Sequence, residues 1–156
     1  MFHVSRRSLT LSLLSLLVAA VAFAAAQARA QNGPDKEEPP FHAYKGVHLG
    51  MTVAEARKLL GSPTDKGDKQ DFYSFNDKEA CQVYYDDTQK VFAVSVTYLG
   101  GNSVPVPKSV IGTDIDAKQD GSLYKLVRFP KAGYWVSYTR TAGDAPMTII
   151  AMQKIQ

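Results

Sequence analysis

The chain has 156 residues, 45% hydrophobic and 21% charged, with three histidines and one cysteine. That length suits one domain with a single core, and a single cysteine excludes an intramolecular disulfide, so burial must supply the stability. The net charge is +3, but Arg6, Arg7 and Arg29 supply all of the excess; from residue 31 onward basic and acidic residues balance and are interspersed, which argues against nucleic acid or an anionic membrane surface as partner.

Residues 1–30, MFHVSRRSLTLSLLSLLVAAVAFAAAQARA, combine a basic start, an apolar run and an Ala28-Arg29-Ala30 cleavage signal, the pattern of a cleaved signal peptide. Retention of Leu9 to Ala26 as a membrane anchor is the alternative. Cleavage would start the mature chain at Gln31 and make it periplasmic or secreted in a bacterial envelope. The Arg6-Arg7 pair in SRRSLTL also fits twin-arginine export, although nothing else points to the prefolded cofactor proteins that use that route. No cysteine follows the leader to accept a lipid, so the exported chain is expected to be soluble, without a stable membrane anchor.

Residues 31–41 begin QNGPDKEEPP, with three prolines, four charges and no large apolar side chain, and are expected to form a flexible linker. Residues 42–156 then form the folded domain. In GVHLGMTVAEARKLLGSP, Thr52 is an N-cap and Glu55 completes a capping box. Val53, Ala56 and Leu60, joined by Leu59, make an apolar stripe, with Glu55, Arg57 and Lys58 largely outside it. Gly61 closes the helix and Pro63 blocks its continuation. So short a helix must dock on something else to be stable.

Five runs read as strands: Asp71 to Phe75, Ala80 to Tyr85, Val91 to Leu99, Leu123 to Phe129 and Tyr134 to Arg140. Met147 to Lys154 reads as a sixth. The connectors NDKE, DDTQK, PKAG and TAGDAP are short and polar, as antiparallel hairpins require. The expected fold is therefore α+β: a short N-terminal helix packed on an antiparallel sheet of about five to six strands. Matches at an offset of 51 residues (Gly61 with Gly112, Tyr73 with Tyr124, Tyr84 with Trp135) suggest two helix-plus-meander halves, the second helix reduced to a turn near Pro107 to Ile111.

From Gly46 to Leu99 the chain resembles two related groups, the small outer-membrane assembly lipoproteins (SmpA/OmlA-like) and the β-lactamase inhibitor protein fold. The resemblance is carried by Gly46, Leu49, Gly50, Met51, Thr52, Leu60, Gly61 and Pro63, then Tyr73, Asp86 and Val91. It implies a small two-layer α+β domain that works by protein contact rather than catalysis. The lipid-bearing cysteine of the first group and the disulfides of the second have no counterpart here.

No catalytic or cofactor motif stands out. His42 and His48 lack a Cys or Glu partner at ligand spacing. Asp86-Asp87 sits in a hairpin connector, where aspartate favours the turn. Asp114, Asp116 and Asp120 in DIDAKQDG depart from a calcium loop and lack its closing glutamate. Cys81 alternates with Val83 and Tyr85 and reads as a buried thiol, an intermolecular disulfide being the alternative.

Period-two alternation assigns Cys81, Val83, Tyr85, Phe92, Val94, Val96, Tyr98, Tyr134, Val136 and Tyr138 to the helix-facing side. Gln82, Tyr84, Ala93, Ser95, Thr97, Trp135, Ser137 and Thr139 fall on the other. Tyr84, Trp135, Gln82, Ser137 and Thr97 are the candidate binding residues, with the two rings as anchors on a polar face. The expected function is a non-catalytic exported envelope protein that binds or assembles with another envelope protein through this open face, with no metal or cofactor. The alternative is a small-molecule or glycan binder or hydrolase with a pocket between helix and sheet. A homodimer sealed by edge pairing or by Cys81 is a third, structural option.

Overall fold

The computed structural model describes residues 39–155 apart from residue 102. The signal-peptide reading, 1–30, and residues 31–38 of the linker reading lie outside the described residues. Phe41, the last residue of the linker reading, packs against the core, since a phenyl ring gains from leaving water.

Helix α1 is Val53–Leu60, capped as its sequence dictates: Thr52 Oγ1 accepts from Glu55 N at 3.3 Å and Glu55 Oε2 accepts from Thr52 N at 2.8 Å. Gly61 ends it at φ +85°, a conformation other residues adopt only with strain. The residues before α1 pair with the start of a strand, Gly50 N donating to Val91 O at 2.7 Å and Val91 N to Met51 O at 2.8 Å. The helix is therefore anchored by its N-terminal approach as well as by Val53, Ala56 and Leu60, whereas Leu59, expected to join that stripe, is 49% exposed. A second helix, α2, is the five-residue Pro107–Ile111, with Pro107 at its start and Gly112 in the left-handed conformation at its end.

The strands are β1 (Asp65–Lys66), β2 (Gln70–Asn76), β3 (Glu79–Tyr85), β4 (Val91–Tyr98), β5 (Leu123–Phe129), β6 (Tyr134–Arg140) and β7 (Thr148–Lys154). All six long strands fall where β-branched and aromatic alternation places them; the two-residue β1 is additional. They form one antiparallel sheet in the order β1-β2-β3-β4-β7-β6-β5. Two three-strand meanders, each preceded by a short helix, thus meet at the β4–β7 ladder. The α+β expectation holds, with seven strands in place of five or six.

The halves correspond in topology but not at a fixed offset. Tyr73 is 2% exposed in the core, whereas Tyr124, 51 residues on, is 52% exposed on the opposite side of the sheet. Strand partners decide which side a residue faces, and the loops of the two halves differ in length.

The core lies on one side, the inner face. Val83 pairs with Val94, Val94 with Met152, and Met152 with Val136, giving a cross-sheet row of fully buried apolar side chains. Val47 and Ala56 cover one part of this face, Val110 and Ile111 another. One alternation expectation is corrected. Tyr85 pairs with Val91 but Tyr84 pairs with Ala93, leaving Phe92 as an extra residue, a β-bulge. Phe92 therefore leaves the helix-facing set and stands beside Tyr84, ring centroids 6.2 Å apart.

Candidate functional site

The five residues singled out from sequence all sit on the outer face, each partly buried. Register fixes their arrangement. One row runs Tyr84, Ala93, Gln153, Trp135 and Arg128 across β3, β4, β7, β6 and β5. The next runs Gln82, Ser95, Ala151 and Ser137, and a third runs Ala80, Thr97, Ile149 and Thr139. With strands about 4.8 Å apart, the three spacings between Tyr84 and Trp135 set their backbone positions about 14 Å apart. Between them in that row lie Ala93 and Gln153, and in the next row the small residues Ser95, Ala151 and Ser137.

The face thus carries two aromatic rings separated by uncharged residues, with Arg128 beyond Trp135. Tyr84 is braced at the tip, its hydroxyl donating to Gln82 Oε1 at 3.0 Å, and at the side by Phe92. Beside these rings opens a cleft of about 560 Å³, bordered by Lys69, Asp86, Asp87 and Lys154. Alternation identifies Tyr84 and Trp135, but misses Phe92, which only the bulge brings there, and Gln153, which only the β4–β7 pairing inserts between the rings.

The charged cluster that sequence reading missed lies on the inner face. Arg57 lies outside the apolar stripe of α1, yet it does not simply face solvent. Instead its Nε and Nη2 donate to Asp71 Oδ2 and Oδ1 at 2.8 and 2.9 Å, joining α1 to β2. Tyr85 Oη donates to Asp71 Oδ2 at 2.7 Å, and Gly67 N donates to its Oδ1 at 3.3 Å. Burial alone would raise the Asp71 pKa; the hydrogen bonds from Arg57 and Tyr85 outweigh it and hold the carboxyl below its usual range. The available signal was that Asp71 shares the strand face of Tyr73 and so needs a partner once buried. Every acceptor is engaged within the fold, so the cluster positions α1.

The remaining candidates resolve locally. Asp86 Oδ1 accepts from Thr88 N at 2.9 Å and Lys90 N at 3.1 Å, which is turn chemistry. Asp120 Oδ1 accepts from Ser122 N at 2.9 Å. His42 and His48 are exposed, with Nδ1 3.3 Å from Pro39 O and 3.1 Å from Leu49 O respectively. Among the described residues no group of three His, Cys, Asp or Glu is placed to hold a metal. Cys81 is 1% exposed, and burial pushes its thiol up to about 12. The space under α1 is filled by Val47, Ala56, Tyr85 and Val91, each 2% exposed or less.

No family model matches the chain and no curated protein matches it. Among solved structures it is similar to a DUF4309 family protein (YjgB) from Bacillus subtilis subsp. subtilis str. 168, with 12% identity over 67% of this chain and 78% of that one and a TM-score of 0.41, a likeness too distant to argue from.

Proposed function

We propose that the chain is an exported envelope protein that binds another envelope protein, without catalysis, through the outer face of its sheet. One observation carries this: the row from Tyr84 to Trp135 stands clear of both helices, whose buried residues all belong to the inner core. Two rings on the outer face, among uncharged residues, offer anchors to a partner, and amphipathic aromatic anchors dominate such contacts. The resemblance to small envelope assembly proteins and the leader pattern supply the compartment.

The test is a crosslinking capture from the envelope with the wild type and with Tyr84→Ala/Trp135→Ala, both checked for an unchanged circular dichroism spectrum. Loss of either anchor is expected to cost about 2 kcal/mol of binding, enough to remove the captured species. Recovery of the same species with the double variant contradicts the reading. The cleft beside Tyr84 and Phe92 favours a second reading, a small ligand with an apolar face stacked on these rings. In that case Tyr84→Ala abolishes ligand-induced changes in tyrosine fluorescence while Trp135→Ala does not.

A further inference from the structure

A second cleft, of about 510 Å³, opens between the last turns of α1 and the strand β1. Its charged lining is Arg57, Lys58 and Lys66, and among the described residues no acidic side chain lines it. Register accounts for the single sign. Lys66 pairs with Asp71 and so lies on the α1 side of the sheet, whereas Asp65 pairs with Phe72 and lies on the other. On the helix, Ala54 precedes Arg57 and Lys58 by one turn, so all three share one side of α1.

These cations are not consumed by the fold. Arg57 donates through Nε and Nη2 to Asp71, and through Nη2 to Gly67 O at 3.3 Å, which fixes the plane of the guanidinium. Among the described residues its remaining nitrogen, Nη1, has no partner, and Lys58 and Lys66 make no ion pair or side-chain hydrogen bond. Set against Asp71, the one carboxylate in contact with them, the three cations leave two positive charges in excess. From residue 31 onward the chain is otherwise balanced in charge, so this excess is a local feature rather than part of a basic surface.

We propose that this cleft binds the phosphate-monoester group of a small soluble molecule. A monoester dianion matches the two excess charges and carries three terminal oxygens, one for each cation. Arg57 offers Nη1 from a plane already set by Asp71, and the two lysines approach from helix and strand as point charges. The Ser62 hydroxyl, also in the lining, adds a neutral donor. A carboxylate supplies half the charge. Nucleic acid or an anionic membrane needs a cationic surface wider than this cleft. The site lies on the α1 side of the sheet and is independent of the outer-face contact proposed above.

Calorimetric titration of the full chain with glycerol phosphate at low ionic strength is expected to give a saturable one-to-one isotherm that weakens as salt is added, with no heat from glycerol itself. Lys58→Gln/Lys66→Gln removes two exposed, unpartnered cations and should raise the dissociation constant about tenfold or more, with the melting temperature unchanged. Lys108→Gln/Lys131→Gln makes the same change in net charge at a distance and should alter it by less than about twofold. Phosphatidylcholine vesicles containing phosphatidic acid carry the same monoester on a membrane and should not sediment the chain. Absence of saturable binding at millimolar glycerol phosphate overturns the proposal, and so does equal weakening by the two double variants. Sedimentation with the vesicles that Lys58→Gln/Lys66→Gln abolishes assigns the cleft to a lipid and overturns the soluble ligand.

Discussion

Asp71 and Arg57 show how a single residue can be misplaced by a rule that is otherwise sound. Helical periodicity puts Arg57 off the apolar stripe, and its side chain is indeed 27% exposed, but its length lets the guanidinium turn under the helix to a carboxylate that has no solvent exposure. Arg57→Ala leaves that carboxylate buried with hydroxyl and amide donors but no counter-charge. The expected loss is about 3 kcal/mol, read from a urea or thermal melt. The sign with pH follows from the lowered Asp71 pKa. The unfolded chain binds the proton more readily, so the full contribution is present above the ordinary aspartate value of about 3.9 and is lost as pH falls below it. Stability measured from neutral pH down to about 3 should fall more steeply in the wild type than in Asp71→Asn. Cys81, one strand away, should stay unreactive toward thiol reagents until the protein unfolds, since both access and thiolate are withheld.

Elements were more legible than single contacts because their signals are local. The capping box, the terminal glycine and the stripe lie within a few residues of one another, and α1 forms where they say. Replacing Thr52 by Ala should cost about 1 kcal/mol, measured as a shift in melting temperature. Strand positions were legible for the same reason, and alternation assigned nearly every side chain to its face. It failed at Phe92 because a bulge is a property of two paired strands, and one extra residue reverses the alternation around it. The β4–β7 ladder was likewise out of reach, being set by how two distant meanders meet. The two faces should respond differently to truncation. Val83→Ala, from a fully buried position, should cost about 2 kcal/mol, whereas Ser95→Ala on the outer floor should stay within about 0.5 kcal/mol, both by equilibrium unfolding.

At the scale of the whole molecule the organising fact is asymmetry. Two short helices and the approach to α1 cover one side of a seven-stranded sheet, and the core is confined to that side. Antiparallel sheets accommodate this because alternation can keep one face apolar and the other wet. The outer face, with Tyr84 and Trp135 among uncharged residues, is the surface proposed to contact another protein. The face was half legible: alternation placed Gln82, Tyr84, Thr97, Trp135 and Ser137 on it, while Gln153 and Phe92 needed the strand order and the bulge. Site-specific photo-crosslinking in the envelope tests it most directly, comparing a crosslinking residue at Ser137, in the middle of the outer face, with one at Gln119, in an exposed loop. A recognition face requires discrete protein adducts from position 137 that are absent from position 119. Adducts that are the same from both positions, or missing from 137, would contradict it.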